Sequence, residues 1–139
     1  MAILLKERHY KLIKSQLKKN DTISIAYCTG CSGICGLGEK KVNQLSEKLK
    51  KNGFKIADMD SIPLGCLYDQ VKKQKKLKNN TTIVWGCDSY VYNLKRVFPK
   101  RKVIPALITL GLMVWDAKGR VHMVKKYKQS NKADNSRRI

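Results

Sequence analysis

Thr22-Ile23-Ser24-Ile25-Ala26-Tyr27-Cys28 runs into Thr29-Gly30-Cys31-Ser32-Gly33-Ile34-Cys35-Gly36-Leu37-Gly38, and then into a long stretch from Glu39 to Asn52. The first piece alternates, with Ile23 and Ile25 on one face, which predicts a strand. The second is rich in glycine and predicts a loop. The third carries Val42, Leu45 and Leu49 at helical spacing with lysines opposite, and Gly53 is placed to stop that helix in the left-handed conformation. Strand, glycine-rich loop and helix together make the unit from which parallel sheets are built.

The rest of the chain repeats the unit. Phe54 to Ala57 predicts a second strand, Ser61 to Gly65 a break, and Leu67 to Gln74 a weak basic helix ending near Asn79-Asn80. Thr81 to Trp85 is a β-branched run and the third predicted strand. Gly86-Cys87 follow it, with Asp88 as N-cap of a helix carrying Val91, Leu94 and Phe98, which Pro99 ends. Val103 to Ile108 predicts a fourth strand. Leu112 to Trp115 and Val121 to Val124 flank Asp116-Ala117-Lys118-Gly119, which predicts a β-hairpin. At the other end, residues 3–19 predict an amphipathic helix, with Leu5, His9, Leu12 and Gln16 along one line and Tyr10, Ile13 and Leu17 beside it.

At 139 residues the chain is expected to form one domain. The alternation predicts a three-layer α/β fold of Rossmann or flavodoxin-like kind, with about four parallel strands, right-handed crossovers and a C-terminal β-hairpin. Residues 1–124 are expected to be a single cysteine-rich domain, and 125–139 a basic, flexible tail. Met1 to Leu5 is apolar, but Lys6, Glu7, Arg8 and His9 follow at once and leave no room for a signal-peptide core. No run of about 20 apolar residues could span a membrane, so a cytoplasmic location is expected.

Five cysteines in a reducing compartment make a poor disulfide framework, and thiols kept reduced are more often metal ligands or redox groups. Cys28 ends the first predicted strand, Cys66 opens the segment after the second, and Cys87 follows the third. Strand carboxyl ends in a parallel sheet share one edge, where ligands bind. Cys31 and Cys35 leave that same edge, so all five thiols are expected to face one site. Cys28, Cys31 and Cys35 form C-x2-C-x3-C, a spacing that packing alone explains poorly. Cys66 or Cys87 taken singly is more simply a small buried residue. An iron–sulfur cluster, of the 4Fe-4S type, ranks above zinc: structural zinc favours two separated C-x2-C knuckles, and His9 and His122 read as surface or packing residues.

The run from Cys28 to Val42, CTGCSGICGLGEKKV, resembles the C-terminal domain family of methylenetetrahydrofolate reductase, found as a fused domain and as an accessory subunit in anaerobic bacteria and archaea. Cys28, Cys31, Cys35, Gly38, Glu39 and Lys40 carry the likeness, which continues through Leu45, Leu49 and Gly53 to Cys66 and Cys87. One glycine precedes the glutamate where the family usually has two, the chain is far more basic, and no reductase domain is expected in it. The resemblance implies a cysteine-ligated cluster or zinc in an accessory or electron-transfer role around one-carbon metabolism, without a folate site. The lysine- and asparagine-rich style suits an anaerobic archaeon.

The formal charge is +20, with +5 over residues 1–20, +1 over 21–60, +6 over 61–100 and +8 over 101–139. Solvated lysine faces explain this first. An acidic redox or one-carbon-metabolism protein is the expected partner, and nucleic acid is a second candidate through the basic ends. For nucleic acid, Lys72, Lys73, Lys75, Lys76, Lys78, Lys125, Lys126 and Lys128 would contact phosphates and Tyr68, Tyr90, Tyr92 and Tyr127 would stack. The other alternative is a thioredoxin-like thiol–disulfide protein using Cys28 and Cys31, with Pro63 as a cis-proline, although that leaves three cysteines unexplained. No paired carboxylates, Ser/His set or P-loop marks an independent enzyme.

Overall fold

The computed structural model describes residues 2–127. Four strands form a parallel sheet: β2 (Thr22–Cys28), β3 (Lys55–Ile62), β4 (Thr81–Trp85) and β5 (Lys102–Pro105), in the order β3-β2-β4-β5. Three more form a separate antiparallel sheet, β1 (Ala2–Glu7), β6 (Leu107–Trp115) and β7 (Val121–Lys126), in the order β1-β6-β7. The helices are α1 (Tyr10–Ser15), α2 (Cys31–Ile34), α3 (Glu39–Lys51), α4 (Tyr68–Lys72) and α5 (Asp88–Val97).

Period-two alternation sends the side chains of the parallel strands to two cores. Ile23 and Ile25 of β2, with Ile83 and Trp85 of β4, pack with Val42, Leu45 and Leu49 of α3. Ala26 and Cys28, with Val84, pack instead with Val71 of α4 and Tyr90, Val91 and Leu94 of α5. Both faces of the sheet are therefore covered, which is why β4 is buried at all five positions. Gly53 at φ 86 ends α3 as its position predicts.

The parallel α/β core and the C-terminal hairpin match the reading of the sequence, and several details differ: the expected loop holds the turn α2, and the helix expected to end near Asn79-Asn80 stops at Lys72. Residues 2–7 form a strand, and only 10–15 are helical. Ile3-Leu4-Leu5 satisfies either period, and pairing with β6, from Ala2 opposite Met113 to Glu7 opposite Leu107, decides for the strand. β3 runs on to Ile62 rather than ending at Ala57, because Asp58 and Asp60 sit on an edge strand where side chains can hold them. Asn79 Nδ2 donates to Asp58 at 2.8 Å and Gln74 Nε2 to Asp60 at 3.3 Å.

The fourth strand expected over 103–108 is divided between the sheets. β5 pairs with β4 as far as Pro105 opposite Val84, the Ala106 N–H bonds Val84 O at 2.8 Å, and the chain then enters β6. The hairpin strand β7 continues to Lys126, two residues into the stretch expected to be tail. Residues 128–139 of that expected tail lie outside the described residues.

Candidate thiol site at the carboxyl edge of the parallel sheet

Chain order reverses between β2 and β4: the crossover from β2 leads outward to β3, while β4 continues the other way to β5. Loops leaving the carboxyl ends of two such strands diverge to opposite faces and open a crevice between them. Cys28 is the last residue of β2, and Gly86-Cys87 follow the end of β4. The thiols at this crevice come from both sides of it. Cys28 belongs to the core under α5, whereas Cys87, Cys31 and Cys35 pack with the core under α3.

Three of the sulfurs, those of Cys28, Cys31 and Cys35, meet main chain. Cys28 Sγ lies 3.5 Å from the Gly65 N–H, which donates to it, and 3.5 Å from Pro63 O, to which its S–H donates. The turn α2 is drawn onto β2 by the Ser32 hydroxyl, which donates to Cys28 O. From α2 and its cap, Cys31 and Cys35 face β1. The Ile3 N–H donates to Cys31 Sγ at 3.3 Å and the Leu5 N–H to Cys35 Sγ at 3.4 Å, while Cys35 S–H donates to Ile3 O at 3.5 Å.

The match is geometric. Alternate N–H groups along one strand edge repeat about every 6.8 Å, and residues four apart on a helical turn are separated by a rise of about 6 Å. A pair of thiols at i and i+4 thus satisfies the outer edge of β1, whose other edge pairs with β6. The reading of 3–19 as helix hid these partners. The apolar run Ala2 to Leu5, which satisfies either period, is the one trace of them in the sequence.

Cys87 is the N-cap residue of α5, and its side chain makes no close capping hydrogen bond. Asp88, expected as the cap, is instead the first helical residue. Burial pushes the Cys87 thiol above its ordinary pKa, the Tyr90 and Ser89 N–H groups pull it back, and negative charge on Cys28 and Cys31 would raise it further. Burial likewise raises Cys35, opposed by the Leu5 N–H and reinforced by Cys31. Cys87 thus senses charge on Cys28 and Cys31, and Cys35 senses charge on Cys31. All five cysteines are free thiols, and Cys66 is the exposed one, beside Gly65.

Comparison with known proteins found no protein family, no curated protein and no solved structure that matches the chain.

Among the described residues, no three His, Cys, Asp or Glu side chains converge as closely as they would around a single ion. The histidines are engaged elsewhere: His9 Nδ1 accepts the Lys11 N–H at 3.3 Å at the start of α1, and His122 Nε2 is 2.8 Å from Asp116 in the hairpin. Pro63 is joined by a trans peptide bond, as are all described residues, so it is not the cis-proline expected of a thioredoxin-type site. Of the aromatics expected to stack on nucleic acid, Tyr90 is fully buried, whereas Tyr68 and Tyr92 share Arg96, whose guanidinium lies 4.3 and 5.7 Å from their rings. No described helix is long and apolar enough to cross a membrane.

The different surroundings of the thiols have a direct chemical consequence. In the metal-free protein at neutral pH, iodoacetamide should label Cys66 fastest and Cys87 slowest. Cys87 and Cys28 are each 8% exposed, and burial also lowers the thiolate fraction of Cys87. Peptide mass spectrometry over a time course gives the order, and labelling of Cys87 as fast as Cys66 would contradict the geometry.

Proposed function

We propose that the chain is an iron–sulfur protein in which Cys28, Cys31, Cys35 and Cys87 hold the cluster, and that it passes electrons to or from a partner protein. The observation that carries this is the placing of four thiols around the strand-order reversal, with main-chain N–H groups aimed at three of the sulfurs. Thiolates supplied in fours, and N–H groups donating to sulfur, are what iron–sulfur clusters require of a protein. The donor set fits in kind, since all four groups are thiols. To ligate one group, the sulfurs draw inward from the separate partners they now hold.

The bound cluster would supply a reversible one-electron couple. The chain supplies the rest. The Ile3, Leu5 and Gly65 N–H groups offset negative charge on sulfur, and the first turn of α5 presents its N–H groups beside Cys87. The sheet order is that of a doubly wound, flavodoxin-like core, with β1 and β6 laid across the carboxyl edge. The Asp88 N–H donates to Thr109 of β6 at 3.1 Å, which fixes this cover over the crevice. A net charge of +20 favours an acidic partner. The likeness of Cys28 to Val42 to the methylenetetrahydrofolate reductase C-terminal domain supports a cytoplasmic, accessory place near one-carbon metabolism, with Cys66 as a spare thiol beside the site.

Anaerobic purification followed by a visible spectrum and metal analysis tests this. A brown protein with a broad band at about 400 nm and roughly four iron and four sulfide per chain is the expected result. About one zinc per chain without sulfide assigns the thiols to zinc and overturns the iron–sulfur reading. A colourless, metal-free protein overturns both.

A further inference from the structure

A cavity of about 190 Å³ lies between the end of β1, α1 and α3, with Trp85 in its wall. Three cations line it, Arg8, Lys41 and Lys48, against one carboxylate, Glu7. Arg8 is only 5% exposed, and its N–H bonds Ala106 O at 2.9 Å, which pins it where the chain passes from one sheet to the other. A guanidinium keeps its proton in any protein setting, so this wall of the cavity is permanently cationic.

Lys41 and Lys48 are seven apart on α3 and share a face of the helix. The Lys48 ammonium lies 4.3 Å from the centre of the Tyr10 ring, which holds it at the mouth. The Tyr10 hydroxyl is buried beside Asn52, which opposes the upward push of burial on its pKa. Glu7 is exposed, so solvent screens the one opposing charge.

We propose that this cavity binds a small oxyanion, the phosphate or carboxylate group of a compact metabolite. Arg8, Lys41 and Lys48 supply the positive charge that faces it. The planar fork of arginine matches paired oxygens in both kinds of anion. The volume suits the anionic group and a few attached atoms, well below the roughly 300 Å³ at which drug-sized pockets begin. Trp85 and Tyr10 give that small body an aromatic wall. No cysteine is among the residues that line it.

Trp85 and Trp115 are the two tryptophans, so Trp115→Phe in the full chain leaves Trp85 as the sole reporter. That protein is titrated with inorganic phosphate and, separately, with acetate at constant ionic strength. A saturable change in Trp85 emission is expected, and Arg8→Gln on the same background should weaken it tenfold or more. Saturation by phosphate alone supports a phosphoryl ligand, and saturation by acetate alone a carboxylate. No saturable change with either anion, or a change that survives Arg8→Gln unaltered, overturns the proposal. Should Arg8→Gln fail to fold, the double variant Lys41→Gln, Lys48→Gln on exposed positions makes the same comparison, and unchanged affinity there overturns it equally.

Discussion

Tyr90→Ala is expected to lower the unfolding free energy by about 3–5 kcal/mol, the range for removing a large aromatic from a close-packed core. Tyr90 is fully buried under the parallel sheet. Two glycines exist there to admit its ring. A Cβ built on Gly65 would lie 2.3 Å from Tyr90 Cγ, and one on Gly86 would lie 2.6 Å from Tyr90 Cδ2. The ring thus fills the space between the β3–α4 turn and the end of β4, and truncation leaves a void that rigid strand ends cannot close.

The hydroxyl is committed as well. It donates to Gln74 Oε1 at 2.5 Å, and Gln74 Nε2 donates in turn to Asp60. Burial pushes the Tyr90 pKa upward, so the phenol stays protonated and remains a donor. Tyr90→Phe keeps the ring but strands the Gln74 carbonyl, 4% exposed, without a donor; that costs about 1–3 kcal/mol. The converse experiment overfills the same space. Gly65→Ala and Gly86→Ala are each expected to cost about 1–3 kcal/mol or more. Urea midpoints at constant slope measure all four, and a Tyr90→Ala loss below about 1 kcal/mol would show that the site collapses around the smaller residue.

The strand–loop–helix units were legible because their periods are unmixed. Ile23 and Ile25 alternate, Val42, Leu45 and Leu49 do not, and the glycines fall between them. Ile3-Leu4-Leu5 carries no such distinction, and pairing with β6, some hundred residues away, settled it. Asp58 and Asp60 disguised the second half of β3, since a single residue's polarity cannot reveal that Asn79 and Gln74 wait across the fold.

The cysteines divide in the same way. That Cys28 and Cys87 end at the carboxyl edge followed from the strands preceding them. Which way each sulfur turns did not, because one residue of register sends Cys28 toward α5 while the α2 turn sends Cys31 and Cys35 toward β1. The surroundings of each thiol depend on that second fact, and so does the exposure of Cys66. Cys66 also follows a strand, but the turn at Gly65 gives its main-chain N–H to Cys28 and leaves the Cys66 side chain in solvent.

Cys87→Ser and Cys31→Ser should each reduce iron and sulfide in the anaerobically purified protein to less than a tenth of the original, while Cys66→Ser retains most of both. Cys87 senses charge on both Cys28 and Cys31, and Cys35 senses charge on Cys31, so each loss removes a thiol coupled to others of the proposed ligand set. Serine keeps the size of the side chain but at neutral pH offers no anionic sulfur, so each variant removes one ligand with little change in packing. A buried hydroxyl at position 87 does cost some stability, and a urea midpoint separates that cost from loss of the cluster. Full loading in Cys87→Ser would remove it from the ligand set. Loss of loading in Cys66→Ser equal to that in Cys31→Ser would place the exposed thiol among the ligands. That would require the Gly65 turn to swing inward, away from the Tyr90 ring that it now covers.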